Sequence, residues 1–222
     1  MTAGSAARRA ALVVGGGAVL ATPRLAARLA ELRQPLVVAA DVGAVTALRL
    51  GFPPSVVVGD FDSIDPAALA DLQRQGVSVE AYPRDKDATD GQIAVERALA
   101  SQVDELVLVG FLGGPRLDQE LANVLLLTRV PVPAVLVDGA NECRVLRGGQ
   151  AWAWAAEPGE LVSLLPLGSD VQGVSTEGLR WTLDHEALVG GDTRGVSNEP
   201  VADQVSVRCS AGLLLVTRYF PE

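Results

Sequence analysis

The chain has 222 residues, 49% hydrophobic and 20% charged, a composition that suits one large globular domain or two small ones. Its formal charge of −9, with no basic run, argues against sequence-independent binding to nucleic acid. A single lysine, Lys86, and a single histidine, His185, exclude a Walker-type P-loop, a Val-Ala-Ile-Lys kinase strand and any multi-histidine metal site.

Arg8 and Arg9 precede an apolar run, Ala10 to Ala21, with the outline of a signal peptide. Gly15, Gly16 and Gly17 suit a signal helix poorly, and the run is too short to span a bilayer. The pattern predicts a strand at Ala11–Val14, a glycine turn, and a helix from Pro23 to about Arg33 with Thr22 as N-cap. Further buried strands are predicted at 36–40, 56–58, 77–81, 105–109 and 134–137, each short, apolar and bounded by Gly, Pro or Asp. Helices are predicted between them. Pro66–Gln75 has Asp65 as N-cap and Gly76 as stop. Thr89–Ser101 opens on Thr89 and Gln92, a capping-box spacing. Arg116–Arg129 carries Leu117, Leu121, Val124 and Leu125 at helical spacing. This alternation predicts a mostly parallel, Rossmann-like α/β sheet covered on both faces. After about Gly148 the period changes. Runs at 151–156, 161–165, 178–183, 205–208 and 213–217 predict a smaller all-β domain, so the expected domains are 1–148 and 149–222. Cys143 and Cys209 form no Cys-x-x-Cys pair, which predicts two reduced thiols in a cytoplasmic protein.

Ligands of an open parallel sheet bind beyond the carboxyl ends of its strands, so the acids there carry weight. Asp41 follows the second strand. The third runs into Gly59-Asp60-Phe61-Asp62-Ser63. If that segment stays extended, Asp60 and Asp62 point to one spot and Phe61 turns inward. Two such carboxylates either hold a hard cation such as Mg²⁺ together with substrate phosphates, or form an Asp-rich turn. Arg84-Asp85-Lys86-Asp87-Ala88-Thr89-Asp90 follows the fourth strand, and Asp90 also suits a helix's first turn. In a chain that otherwise uses Arg, a lone Lys86 among acids suggests a compact ammonium for a phosphate oxygen. After the fifth strand, Gly110 to Gln119 and then Asn123 combine glycines that admit a close ligand with Arg116, capable of a bidentate phosphate contact. A tight turn with Asp118 at a helix start is the alternative.

Together these segments resemble the thiamine pyrophosphokinase family. That family carries Asp-Gly-Gly-Ala-Asn, Gly-Asp-Phe-Asp-Ser, Lys-Asp-x-Thr-Asp and Gly-Gly-Arg-x-Asp-His in this order. The second is intact at Gly59–Ser63 and the third at Lys86–Asp90. Gly173–Leu183 resembles its segment leading to a tryptophan, and Gly195-Val196-Ser197-Asn198-Glu199 its Gly-x-Ser-Asn-Glu signature. The first motif departs, with Val42 and Val45 for Gly and Asn. Pro115 intrudes in the fourth, and Gln119 replaces its His.

The resemblance implies a catalytic domain that binds ATP and Mg²⁺, a β-sandwich that binds thiamine, and a homodimer with thiamine sites at the interface. It implies transfer of a diphosphoryl group from ATP to the thiamine hydroxyl, releasing AMP. Asp60, Asp62 and Asp90 would be the Mg²⁺ ligands, with Lys86 and Asp87 also catalytic. Asp41, Lys86, Thr89, Arg116, Asp118 and Asn123 would bind ATP. Trp181 would stack on the cationic thiamine or else belong to the β core. Ser197 and Asn198 would be polar substrate contacts or else turn residues. Neither nucleic acid nor membrane is an expected partner. The rival functions are a diphosphokinase for another hydroxymethyl heterocycle, such as a pterin, and a nucleotide- or thiamine-binding protein without catalysis.

Overall fold

A computed structural model describes residues 8–221. The chain divides into two compact units, the first ending at Gly139 and the second beginning at Ala140.

The first unit holds six strands: β1 (Ala10–Val14), β2 (Leu36–Ala40), β3 (Val56–Gly59), β4 (Ser78–Ala81), β5 (Glu105–Val109) and β6 (Ala134–Val137). They are all parallel, in the order β4-β3-β2-β1-β5-β6. The helices between them are α1 (Pro23–Ala30), α2 (Gly43–Arg49), α3 (Pro66–Arg74), α4 (Asp90–Leu99) and α5 (Leu117–Leu126). Strand residues alternate between two buried faces. Leu12, Val14, Val37, Ala39 and Val57 cluster with Leu25 and Leu29 of α1, Ala44 and Ala47 of α2, and Leu72 of α3. The alternate set, including Val13, Val38 and Val58, is fully buried on the other face, where α4 packs across β1, β2 and β3. Strand order reverses between β1 and β5, and the crevice at such a switch point is where ligands bind in open sheets.

One local rule places three of the helices. Thr22, Asp65 and Thr89 each accept a backbone N–H of the following first turn, as their N-cap positions predict. Helix α2 follows no such rule. It begins at Gly43 behind Val42, with no side-chain cap. Gly43 is required there because a Cβ would lie 2.3 Å from the carbonyl oxygen of Val14, so only glycine lets α2 approach the end of β1. Helix α5 forms where its spacing predicts, but it turns three of its four leucines outward. Leu117, Leu121 and Leu125 are 68%, 54% and 53% exposed. Its half-buried positions are Glu120, Asn123, Val124 and Leu126.

The second unit contains β7 (Asn141–Arg147), β8 (Ala151–Ala155), β9 (Leu161–Pro166), β10 (Val171–Glu177), β11 (Glu186–Leu188), β12 (Gln204–Arg208) and β13 (Leu213–Tyr219). Antiparallel β7-β13-β9 and β11-β10-β12-β8 enclose one core of Leu146, Trp154, Leu164, Val174, Val205 and Leu214, a small sandwich. The unit starts ahead of the change of period at Gly148 because β7 pairs along its whole length with β13. The strand expected over 178–183 is absent. Leu179 and Leu183 are buried as anchors, but their backbone serves a wide loop: Leu179 forms an isolated bridge to Pro200, and the Leu183 N–H donates to Thr176 Oγ1. Among the described residues no helix is long and apolar enough to cross a membrane.

Candidate active site

Asp41 directly follows β2, and its N–H donates to the Val58 carbonyl at 2.9 Å, pinning it beside the strand that leads to Asp60. The segment after β3 is not extended. Phe61 adopts a left-handed conformation, φ +60°, and the Asp62 N–H donates to Asp60 Oδ1 at 3.2 Å. This tight turn, rather than a pleat, brings the two carboxylates together, while Phe61 packs against the core as expected. One oxygen from each of Asp41, Asp60 and Asp62 lies within 4.8 Å of the others.

The electrostatics of this trio are strained. Burial pushes the Asp41 carboxyl up from its ordinary pKa, and the neighbouring Asp60, Asp90 and Asp62 charges add to the shift. Asp41 Oδ1 is buried with no hydrogen-bond partner. Asp60 is held below the usual range, first by the Asp62 N–H and then by Lys86. Lys86 reaches Asp60 Oδ2 at 3.4 Å and Asp90 Oδ1 at 3.1 Å, with only 13% of its side chain exposed. Burial pulls the Lys86 ammonium down, but Asp90 and Asp60 outweigh it and raise its pKa above the ordinary lysine value. A cluster of three carboxylates, one of them with an orphaned buried oxygen, suits a hard divalent cation such as Mg²⁺. Asp90, expected beside Asp60 and Asp62, stands at the first turn of α4 and pairs with Lys86.

These groups open onto a cleft of about 760 Å³, a volume typical of small-molecule sites. Asp41, Asp60, Lys86, Thr89, Asp90, Arg116 and Asn123 line it, whereas Asp62, Asp87 and Asp118 do not. Arg116 and Asp118 form an exposed fork-to-fork pair, with Arg116 Nε 3.1 Å from Asp118 Oδ1. The Asn123 amide donates to the Phe111 carbonyl at 2.8 Å, so it fixes the loop after β5. Val42, Pro115 and Gln119 line the cleft, but Val45 does not. Sequence reasoning passed over three contributors. Arg84 lines the cleft and lies 3.8 Å from Asp62, and it belongs to the same charged run as Lys86. Gly15 to Gly17 form a wall although they complete no nucleotide fingerprint, the signal being a glycine run directly after a buried strand. Glu120 is the third.

In the second unit Trp181, Ser197 and Asn198 line a separate pocket of about 460 Å³. Trp181 is 57% exposed, so it is not core. Asn198 is buried. Its Oδ1 accepts the N–H groups of Trp181 at 3.1 Å and Glu199 at 2.9 Å, and its Nδ2 donates to the Trp181 carbonyl at 2.7 Å. Ser197 is left-handed, φ +61°, with its N–H on Ser163 Oγ at 3.1 Å. Arg180 lies 5.6 Å from the Trp181 ring centroid and pairs with Glu199 at 2.9 Å.

Both units match known proteins. Residues 29–136 match the family described as thiamin pyrophosphokinase, catalytic domain, and residues 155–214 match thiamin pyrophosphokinase, vitamin B1 binding domain. The thiamine pyrophosphokinase of Bacillus subtilis is 27% identical over 209 residues, covering 93% of this chain and 96% of that protein. Its crystal structure superposes with a TM-score of 0.84 at 25% identity, over 96% of this chain and all of that one. The thiamin pyrophosphokinase of Geobacillus thermodenitrificans gives a TM-score of 0.82 at 28% identity, covering 96% of this chain and 98% of that chain. With both units matched in sequence and in fold, the chain belongs to the thiamine pyrophosphokinase family of enzymes.

Proposed function

We propose that the protein transfers a diphosphoryl group from MgATP to the hydroxyl of thiamine, releasing AMP. The observation that carries this is the trio of Asp41, Asp60 and Asp62, with oxygens within 4.8 Å of one another, beside an ammonium that is mostly buried. ATP binds in the cleft of the first unit. Asp60 and Asp62, joined by Asp41, hold Mg²⁺. When bound, Mg²⁺ neutralises phosphate charge and aligns the diphosphate.

The chain's own groups do the rest. Asp90 and Asp60 hold the Lys86 ammonium in place. There it stabilises negative charge as the thiamine hydroxyl gives its proton to a carboxylate of the cleft, its oxygen bonds to the β-phosphorus, and the bond from that phosphorus to the AMP oxygen breaks. Arg116 exchanges its Asp118 partner for a phosphate, which offers the same fork geometry. Thr89 fixes the start of α4 and so the position of Asp90. Trp181 offers an exposed ring to the thiamine cation in the second unit's pocket, with Ser197 and Asn198 beside it. The enzyme acts as a homodimer, a reading supported by the leucine stripe of α5. A chain with only two cysteines, both buried, supports a reducing, cytoplasmic setting.

Incubating protein, MgATP and thiamine tests the reaction: AMP and thiamine diphosphate appear in equal amounts. AMP formed only with a pterin alcohol supports the other-heterocycle reading. Saturable thiamine binding without AMP supports a binding protein.

A further inference from the structure

The loop between β5 and α5 walls the cleft with Gly110, Phe111, Leu112, Gly114, Pro115 and Arg116. It starts in a left-handed turn at Gly110, φ +76°, whose carbonyl accepts the Gly17 N–H at 2.8 Å. Two side chains of α5, one turn apart, reach back to it. Asn123 holds the Phe111 carbonyl at 2.8 Å, and Glu120 Oε1 accepts the Gly114 N–H at 2.9 Å. Pro115 has no N–H, so the Gly114 amide is the loop's last backbone donor before Arg116. A glycine loop at a helix start ordinarily offers such donors to phosphate. Here the donor is already taken by a carboxylate, in a cleft where another negative charge works against a nucleotide. Helix α5 has no side-chain cap at Arg116, so the Glu120 bond, together with that of Asn123, also ties its first turns to the loop.

We propose that Glu120 is a positioning residue for the nucleotide. It holds the Gly114–Pro115–Arg116 wall in its binding shape, and it acts as a hydrogen-bond acceptor rather than as a charge. This rests on the cleft being the ATP site, and the test keeps the two ideas apart. Glu120→Gln keeps an acceptor oxygen and loses the charge, whereas Glu120→Ala loses both.

Equilibrium binding of a fluorescent ATP analogue with Mg²⁺ gives Kd, steady-state turnover gives kcat and both KM values, and amide hydrogen exchange is followed at Gly114. Glu120→Ala is expected to weaken nucleotide binding about 5- to 10-fold, the loss of one hydrogen bond. It leaves the thiamine KM unchanged and speeds Gly114 exchange at least about tenfold. Glu120→Gln is expected to restore protection and most of the affinity. Equal impairment of both variants, with Gly114 protected in the Gln form, would overturn the proposal in favour of a charge role. Wild-type exchange and affinity in Glu120→Ala would overturn it outright. If wild type binds no nucleotide, the ATP-site reading fails, and the positioning role fails with it. If it binds nucleotide but turns over no thiamine, only the thiamine reaction fails, and Kd with Gly114 exchange still decides the role of Glu120.

Discussion

The two candidate pockets follow opposite plans. The cleft of the first unit gathers charge it does not fully compensate, since Asp41 Oδ1 is buried and unpartnered and three carboxylates crowd together. The pocket of the second unit spends its polar groups internally. Asn198 is committed to the Trp181 loop, and Arg180 to Glu199, leaving an aromatic face to the solvent. The first arrangement suits ligands that bring ions, because only added charge relieves it. The second suits a flat cation, recognised by shape and by a ring face. Local backbone strain marks both. Of the six described non-glycine residues at positive φ, Asp41, Phe61 and Ser197 lie at these sites, where surrounding contacts hold conformations that cost energy.

Removing charge from the first pocket should have the largest effect. Asp62 is 47% exposed in its side chain, so Asp62→Asn leaves the fold intact. If the trio holds Mg²⁺, turnover falls about a thousandfold or more, the several kcal/mol that a metal contributes to transition-state charge. Isothermal titration with Mg²⁺ and nucleotide, alongside the AMP assay, checks both parts. An active Asp62→Asn enzyme would remove the metal assignment and leave the turn as its whole explanation. Lys86→Arg is next. It preserves charge but replaces a compact ammonium, fitted between Asp60 and Asp90, with a planar fork. A drop in kcat of about 10- to 100-fold is expected, with a melting temperature close to wild type. Unchanged turnover would mean that net charge, not shape, is what this position supplies.

The sheet was readable because its strands are continuous apolar runs between Gly, Pro and Asp, and three helices announced themselves by Thr22, Asp65 and Thr89. What escaped depends on tertiary context. Helix α2 has β-branched Val45 and Thr46 and no side-chain cap, and it exists because Gly43 can touch Val14. The Asp60–Asp62 pair was foreseen for a wrong local reason, since only the fold decides that Phe61 turns left-handed to reach the core. The segment from Gly178 to Leu183 looks like a strand, but Asn198 and Thr176 take the hydrogen bonds that a neighbouring strand would have used. At α5 the leucine period was visible, whereas its outward direction is set by Glu120 and Asn123 holding the loop.

In the second pocket the effects should be smaller and should fall on binding. Trp181→Ala removes an exposed ring and is expected to raise the thiamine KM about 5- to 30-fold, the worth of a cation–π contact, with kcat little changed. Asn198→Ala leaves the Trp181 N–H and carbonyl without their partner. It should cost about 1–3 kcal/mol of stability and raise the thiamine KM less than Trp181→Ala does. Quenching of tryptophan fluorescence by thiamine separates the two. It should vanish in Trp181→Ala and persist, at higher concentration, in Asn198→Ala.

Ser197 allows the finest distinction. Its left-handed backbone costs a non-glycine residue about 1–2 kcal/mol, and glycine at this position removes that cost while losing about 0.5–1 kcal/mol to chain entropy. Ser197→Gly should therefore leave stability unchanged or raise it by up to about 1.5 kcal/mol. The same variant deletes the hydroxyl of a residue that lines the pocket. If the hydroxyl touches thiamine, KM rises several-fold with the melting temperature steady or raised, and Ser197→Ala matches the KM change while keeping the strain. If Ser197 is only a turn residue, both variants keep the thiamine KM. Recognition in this pocket then falls to the Trp181 ring and the apolar wall, which is the sharpest form of the contrast with the charged cleft.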